Sequence, residues 1–149
     1  MPRLLFSLFV SLVWCVAGCQ PPVPPPESTP PIEDPVTDRE GPTLNTVPIT
    51  VPQPAEMPIR FSATVTDPSD VYGVYLHFKP SNTSWQSLLM TPSGEPAAYE
   101  LELPPTAFDG ASSISYYLVA ADATPYRNTT QIPSAGAEEP YRFNLSVDF

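Results

Sequence analysis

The feature that most constrains this chain is a period of two. Ile59, Phe61, Ala63 and Val65 alternate with Arg60, Ser62, Thr64 and Thr66. Successive side chains of a strand point to opposite faces, so this run predicts a β-strand with one face buried and the other wet. The same period recurs down the chain. Val74, Leu76 and Phe78 alternate with Tyr75, His77 and Lys79, and Tyr99, Leu101 and Leu103 alternate with Glu100 and Glu102. Ile114, Tyr116, Leu118 and Ala120 alternate with Ser115, Tyr117, Val119 and Ala121, and Tyr141, Phe143, Leu145 and Val147 with Arg142, Asn144, Ser146 and Asp148.

Two further strands carry weaker patterns. Val47, Ile49 and Val51 alternate, but Pro48 and Pro52 withhold backbone donors, which suits an edge strand. In Ser84–Thr91 the apolar residues Trp85, Leu88, Leu89 and Met90 do not alternate cleanly, so the buried face stays undecided. No stretch of helical period competes. The expectation is therefore an all-β domain over residues 43–149, a seven-stranded antiparallel β-sandwich in which a buried Tyr116 needs a partner for its hydroxyl.

Within that domain, Tyr116-Tyr117-Leu118-Val119-Ala120-Ala121-Asp122 resembles the penultimate strand of fibronectin type III and related bacterial immunoglobulin-like modules, and Val65–Phe78 resembles their second and third strands. The resemblance implies an immunoglobulin-like sandwich. Many bacterial relatives follow the aspartate with a Gly-Asn turn, whereas this chain carries Arg127-Asn128 in a longer loop.

The N-terminal part reads differently. Met1-Pro2-Arg3 gives a weakly positive start, and Leu4–Trp14 is a run of apolar residues and serines too short to cross a bilayer, which needs about 20 apolar residues. Val16-Ala17-Gly18-Cys19 resembles the lipobox of bacterial lipoproteins. That resemblance implies a signal peptide at 1–18 and acylation of Cys19, so that the membrane partner is met through acyl chains; an ordinary secretory cut near Ala17 or Gly18 is the alternative. Cys15 follows Trp14, a side chain too large for such a cut. Gln20 after the cysteine, rather than aspartate, resembles the outer-membrane rather than inner-membrane sorting pattern of bacteria with two membranes, and the expected localisation is the cell envelope.

Residues 19–42 then form a lipidated terminus and spacer. Nine prolines between Pro21 and Pro42, mixed with acidic residues, predict a solvated, semi-rigid polyproline-II tether. The formal net charge of the whole chain is −10, and loss of Arg3 with the signal leaves it more acidic still. Such a surface repels phosphate backbones, which excludes nucleic acid as a partner. With Cys15 removed and Cys19 acylated, no thiol remains for a disulfide, so the core alone must hold the fold.

Catalysis lacks parts. The one histidine, His77, is placed outward on a strand, no glycine pair brackets a serine, and zinc spacings are absent, so the chain is expected not to be an enzyme and to need no cofactor. Three places could bind something. Tyr75, His77, Tyr117 and Val119 share an outward face, with Trp85 or Leu89 at its margin; they form either a stacking surface for a sugar or protein partner, or ordinary scattered surface residues. Tyr126, Arg127 and Asn128 lie in the long loop between Asp122 and Ala137. Asp67, Asp70 and Asp122 are expected at one end of the sandwich, where they could hold calcium or simply cap their own turns.

Overall fold

The computed structural model describes residues 38–146. Ten strands and one short 3-10 turn make up these residues: β1 (Thr43–Asn45), β2 (Gln53–Pro54), β3 (Ile59–Thr66), β4 (Val71–Pro80), β5 (Gln86–Leu89), β6 (Thr91–Pro92), β7 (Ala98–Leu103), the turn Pro105–Ala107, β8 (Ser113–Asp122), β9 (Thr129–Ile132) and β10 (Tyr141–Ser146). They form two sheets. One runs β1-β3-β7-β6, and the other runs β2-β10-β8-β4-β5 with β9 beside β8. This all-β, two-sheet architecture is consistent with a sandwich. No helix among the described residues is long and apolar enough to cross a membrane.

The alternation in sequence becomes alternation in burial. Along β3, Ile59, Phe61, Ala63 and Val65 are buried while the residues between them are exposed. Its partner β7 places Leu103 opposite Ile59 and Leu101 opposite Phe61. In the second sheet, β4 and β8 set Val74, Leu76 and Phe78 against Ala120, Leu118 and Tyr116, all buried. Residues of both sheets join one hydrophobic cluster. At its centre the Phe61 ring meets the Tyr116 ring edge-on, with centroids 5.0 Å apart, and Phe143 closes the group at 6.0 Å from Tyr116. Burial of this apolar surface, worth about 25 cal/mol per Å², is what holds a disulfide-free core together.

The strand count exceeds the expected seven, and the reason lies in where the chain changes sheets. No strand forms through Val47, Ile49 and Val51. Residues 46–52 instead cross from β1, on the edge of one sheet, to β2, on the edge of the other, leaving Val47 86% and Val51 60% exposed. Pro48 and Pro52 deny this segment a ladder, and the Ile49 amide donates instead to the Tyr116 hydroxyl at 2.9 Å, which supplies the partner that buried phenol requires. Strand β2 then lies parallel to β10, so the second sheet is mixed rather than purely antiparallel.

A second crossing explains the irregular run after Ser84. Strand β5 is the exposed edge of one sheet, with Leu88 and Leu89 both open to solvent, whereas β6 pairs with β7 in the other sheet. Met90 sits at the crossing, 2% exposed, with its amide donating to Val74 O at 2.8 Å. The expected loop from Asp122 to Ala137 is likewise shortened by β9, which pairs with β8 from Leu118↔Ile132 to Ala121↔Thr129. Of the last strand, Val147 and Asp148 lie outside the described residues, as do Cys19 and the signal and spacer up to residue 37.

Candidate functional site

The outward side chains of β4 and β8 gather into one aromatic group. His77 and Tyr117 are cross-strand partners. Their rings stack with centroids 4.6 Å apart and an interplanar angle of 5°. Trp85, just before β5, meets Tyr117 edge-on at 5.2 Å and 71°. Tyr75 and Val119 are paired one row along the same face, with Leu89 opposite Tyr75 on β5. Tyr75, His77, Trp85, Tyr117 and Val119 are half-buried, so each leaves part of its surface open among the described residues.

Local geometry keeps this group in place. A register shift between Val71 and Gly73 marks a bulge near the start of β4. A Cβ at Gly73 would stand 3.1 Å from the Tyr75 ring and 3.3 Å from the Leu89 side chain, so glycine leaves the space into which Tyr75 leans. Partial burial holds the His77 imidazole below its ordinary value. A neutral imidazole packs flat on a phenol ring without the cost of desolvating a charge, and this ring acts as surface.

Next to the aromatic group lies a groove of about 290 Å³. Trp85, Lys79, Ser115, Ala137, Pro140 and Arg142 are among the residues that line it. Lys79 and Arg142 flank Ser115 in one cross-strand row. The Arg142 guanidinium donates to Ser113 Oγ at 3.0 Å, which anchors it over the groove.

The carboxylates gather differently from the expected set. Asp67 and Asp122 do come together, but the third member is Asp38 rather than Asp70, with one oxygen of each within 4.8 Å of the others. Asp70 takes φ of 66° and uses its carbonyl to accept the Ala123 amide at 2.9 Å, a turn role. Asp38 belongs to the segment read as tether. The described end of that segment, residues 38–42, is packed onto the domain: Pro42 is fully buried, and a Cβ on Gly41 would clash with the Thr129 backbone at 2.8 Å. Asp38 accepts from the Ser69 hydroxyl, and its carbonyl accepts from Asn128 Nδ2 at 3.0 Å.

Asp122 is fully buried, and its donors are all present. Oδ1 accepts from the Thr124 amide at 3.1 Å and hydroxyl at 2.8 Å, and Oδ2 accepts from Asn128 Nδ2 at 2.6 Å. Burial alone would raise this carboxyl, but the hydrogen bonds from Thr124 and Asn128 outweigh it and hold the group below the usual carboxylate range. The side chain thus braces the 123–128 loop. No ion is needed to satisfy it.

The expected binding loop is consumed in the same way. Asn128 ties Asp122 to Asp38. Arg127 takes φ of 52°, donates to Asp122 O at 3.2 Å and lays its guanidinium 3.5 Å from the Tyr72 ring centroid. Of the three, Tyr126 alone stays free, 54% exposed, with the Arg39 guanidinium 5.8 Å from its centroid.

Lys79 and Arg142 were not legible as a pair because their meeting depends on the register of β10 against β8. Their outward parity was the available signal. A scan against models of known protein families finds no match to this chain. A search among curated proteins finds no similar sequence.

Proposed function

We propose that this chain is a non-enzymatic, lipid-anchored protein of the bacterial cell envelope that displays an immunoglobulin-like module for recognition, with glycan as the target. The observation that carries the recognition is the stacked His77–Tyr117 pair with Trp85 against it, on the outer face of β4 and β8. Flat, preordered aromatic surface of this kind stacks on sugar rings at little entropic cost. His77 is engaged there as a ring, which supports a binding rather than a catalytic role.

The strand order and the N-terminal motif support the rest of the reading. The order β1-β3-β7-β6 matches the A-B-E-D sheet of an immunoglobulin-like domain, and β10-β8-β4 matches its G-F-C sheet with β5 as an added edge, which favours the seven-stranded immunoglobulin-like core within the larger strand set. For the anchor, Val16-Ala17-Gly18-Cys19 carries the lipobox pattern, and two or more acyl chains hold a protein stably on a bilayer. In a cell with two membranes, Gln20 after the cysteine favours the outer membrane over the inner. Replacing Cys19 by serine should abolish labelling with palmitate and free the protein from the membrane fraction; retained labelling would remove the anchor.

Glycan-array binding by the full chain, lost on Tyr117→Ala or Tyr75→Ala, is the expected result for the recognition face. Unchanged binding in both variants would overturn it. A second reading, an accessory subunit docked in an envelope complex, is favoured by β5. This edge strand is exposed along its length, with Leu88 41% and Leu89 56% accessible, and such an edge can accept a partner strand. Affinity capture from solubilised envelope yielding a stoichiometric protein partner, lost when Leu89 is replaced by lysine, would favour that alternative.

A further inference from the structure

We propose that the groove beside the aromatic group binds a carboxylated pyranose, with the sugar ring against Trp85 and Tyr117 and the carboxylate between Lys79 and Arg142. The proposal rests on the reading of this face as a glycan surface and specifies the class of glycan.

Charge is the first argument. The chain has a formal net charge of −10, so an anionic ligand meets general repulsion and can settle only where cations are concentrated. The five basic residues in the described part are Arg39, Arg60, Lys79, Arg127 and Arg142. Arg60 is paired with Glu100, Arg127 lies on Tyr72, and Arg39 is near Tyr126. Lys79 and Arg142 make no ion pair with any described residue, and they are the two that face one groove. Both flank Ser115 in a single row, so their Cα atoms are two strand spacings apart, about 10 Å, and both line the groove. The bond from Arg142 to Ser113 fixes the guanidinium while leaving other N–H donors for a carboxylate.

Spacing is the second argument. The Lys79–Ser115–Arg142 row lies two residues along the strands from the His77–Tyr117 row, about 7 Å at 3.4 Å per residue. That distance is of the order of a pyranose ring and its exocyclic carboxylate taken together. Trp85 belongs to both features, touching Tyr117 and lining the groove, so ring and anion sites are contiguous. Ser115 adds a half-buried hydroxyl to the lining, while the buried Ser113 hydroxyl is taken by Arg142. A protein hot spot would ask for an apolar pocket, and a polyphosphate for more than two cations.

The experiment measures binding of the full-length chain, held in detergent micelles, to oligomers of galacturonate, glucuronate and mannuronate and to the methyl esters of the same oligomers. The esters keep the rings and remove the charge. The native chain should bind at least one acid series ten-fold or more tighter than its ester, and Lys79→Gln with Arg142→Gln should erase that difference. Both side chains are exposed, so an unchanged urea midpoint serves as the folding control. Equal binding of acid and ester, lost on Tyr117→Ala, would overturn the anionic assignment and leave the glycan face standing. Absence of binding to every acid and ester would overturn both. Retention of the acid preference in the double variant, or equally tight binding of an oligoglutamate peptide, would overturn the groove assignment.

Discussion

The two sheets have the same inward grammar and opposite outward ones. On β3 and β7 the residues turned away from the core are Arg60, Ser62, Thr64, Glu100 and Glu102, and the Arg60 guanidinium pairs with Glu100 across the strands. On β4 and β8 the corresponding positions are Tyr75, His77, Tyr117 and Val119, half-buried against one another. Both faces are open among the described residues. A solvated face satisfies its side chains with water, whereas an aromatic one keeps apolar area exposed to no structural gain, and such area is better explained by what it contacts. The contrast supports the proposal that recognition belongs to the face of β4 and β8 rather than to that of β3 and β7.

Removing what both faces share should have the largest effect. Phe61→Ala takes a ring from the contact with Tyr116 and Phe143, and a loss of roughly 3–5 kcal/mol is expected in urea unfolding, with both faces lost together. A loss under about 1 kcal/mol would show that the two sheets do not depend on one core.

Replacing Asp122 by asparagine comes next, because it leaves donors of Thr124 and Asn128 without their charged acceptor. The urea midpoint should fall. The pH dependence has a definite sign. A carboxyl whose folded pKa is depressed contributes stability above its unfolded value, near 3.9, and that contribution disappears as pH falls through the lower folded value. The native midpoint should therefore decline below about pH 4, and Asp122→Asn should flatten that decline. An unaltered slope would remove Asp122 from the account of the loop.

The contrast between faces predicts two smaller effects on stability with different consequences for binding. Tyr117→Ala should cost less stability than Phe61→Ala, since the ring is half-buried on the outer face rather than in the core, yet reduce glycan affinity ten-fold or more. It should also raise the His77 titration midpoint toward about 6.5, because removing the stacked phenol rehydrates the imidazole; NMR titration of the ring protons checks this. Arg60→Gln on the opposite face should change neither the urea midpoint nor binding, as the Arg60 side chain is 65% exposed and its ion pair is screened. A binding loss there equal to that of Tyr117→Ala would erase the distinction.

What the sequence disclosed follows from which forces are local. Strands β3, β4, β7, β8 and β10 were readable because alternation of side chains is dictated by the strand itself. The outward set Tyr75, His77, Tyr117 and Val119 came from the same parity, and Trp85 was visible at its margin. The sheet crossings at 46–52 and at Met90 were not, because a chain that leaves one sheet for the other buries residues by tertiary placement rather than by period. Asp38 was hidden by proline-rich composition that suggested a solvated spacer, though Gly41 and Pro42 dock it against β9. Asp70 failed as a third carboxylate because the turn needed its backbone, not its side chain. The Lys79–Arg142 row required a register that no single strand contains.

The central claim, that recognition resides on the outer face of β4 and β8, is tested most directly by amide chemical-shift mapping on the full chain with a uronate oligomer titrated in. The account predicts shifts confined to the neighbourhood of Lys79, Trp85, Ser115, Tyr117 and Arg142, with β3 and β7 unmoved. Shifts centred on Arg60 and Glu100, or on the 123–128 loop, with that face unmoved would contradict it.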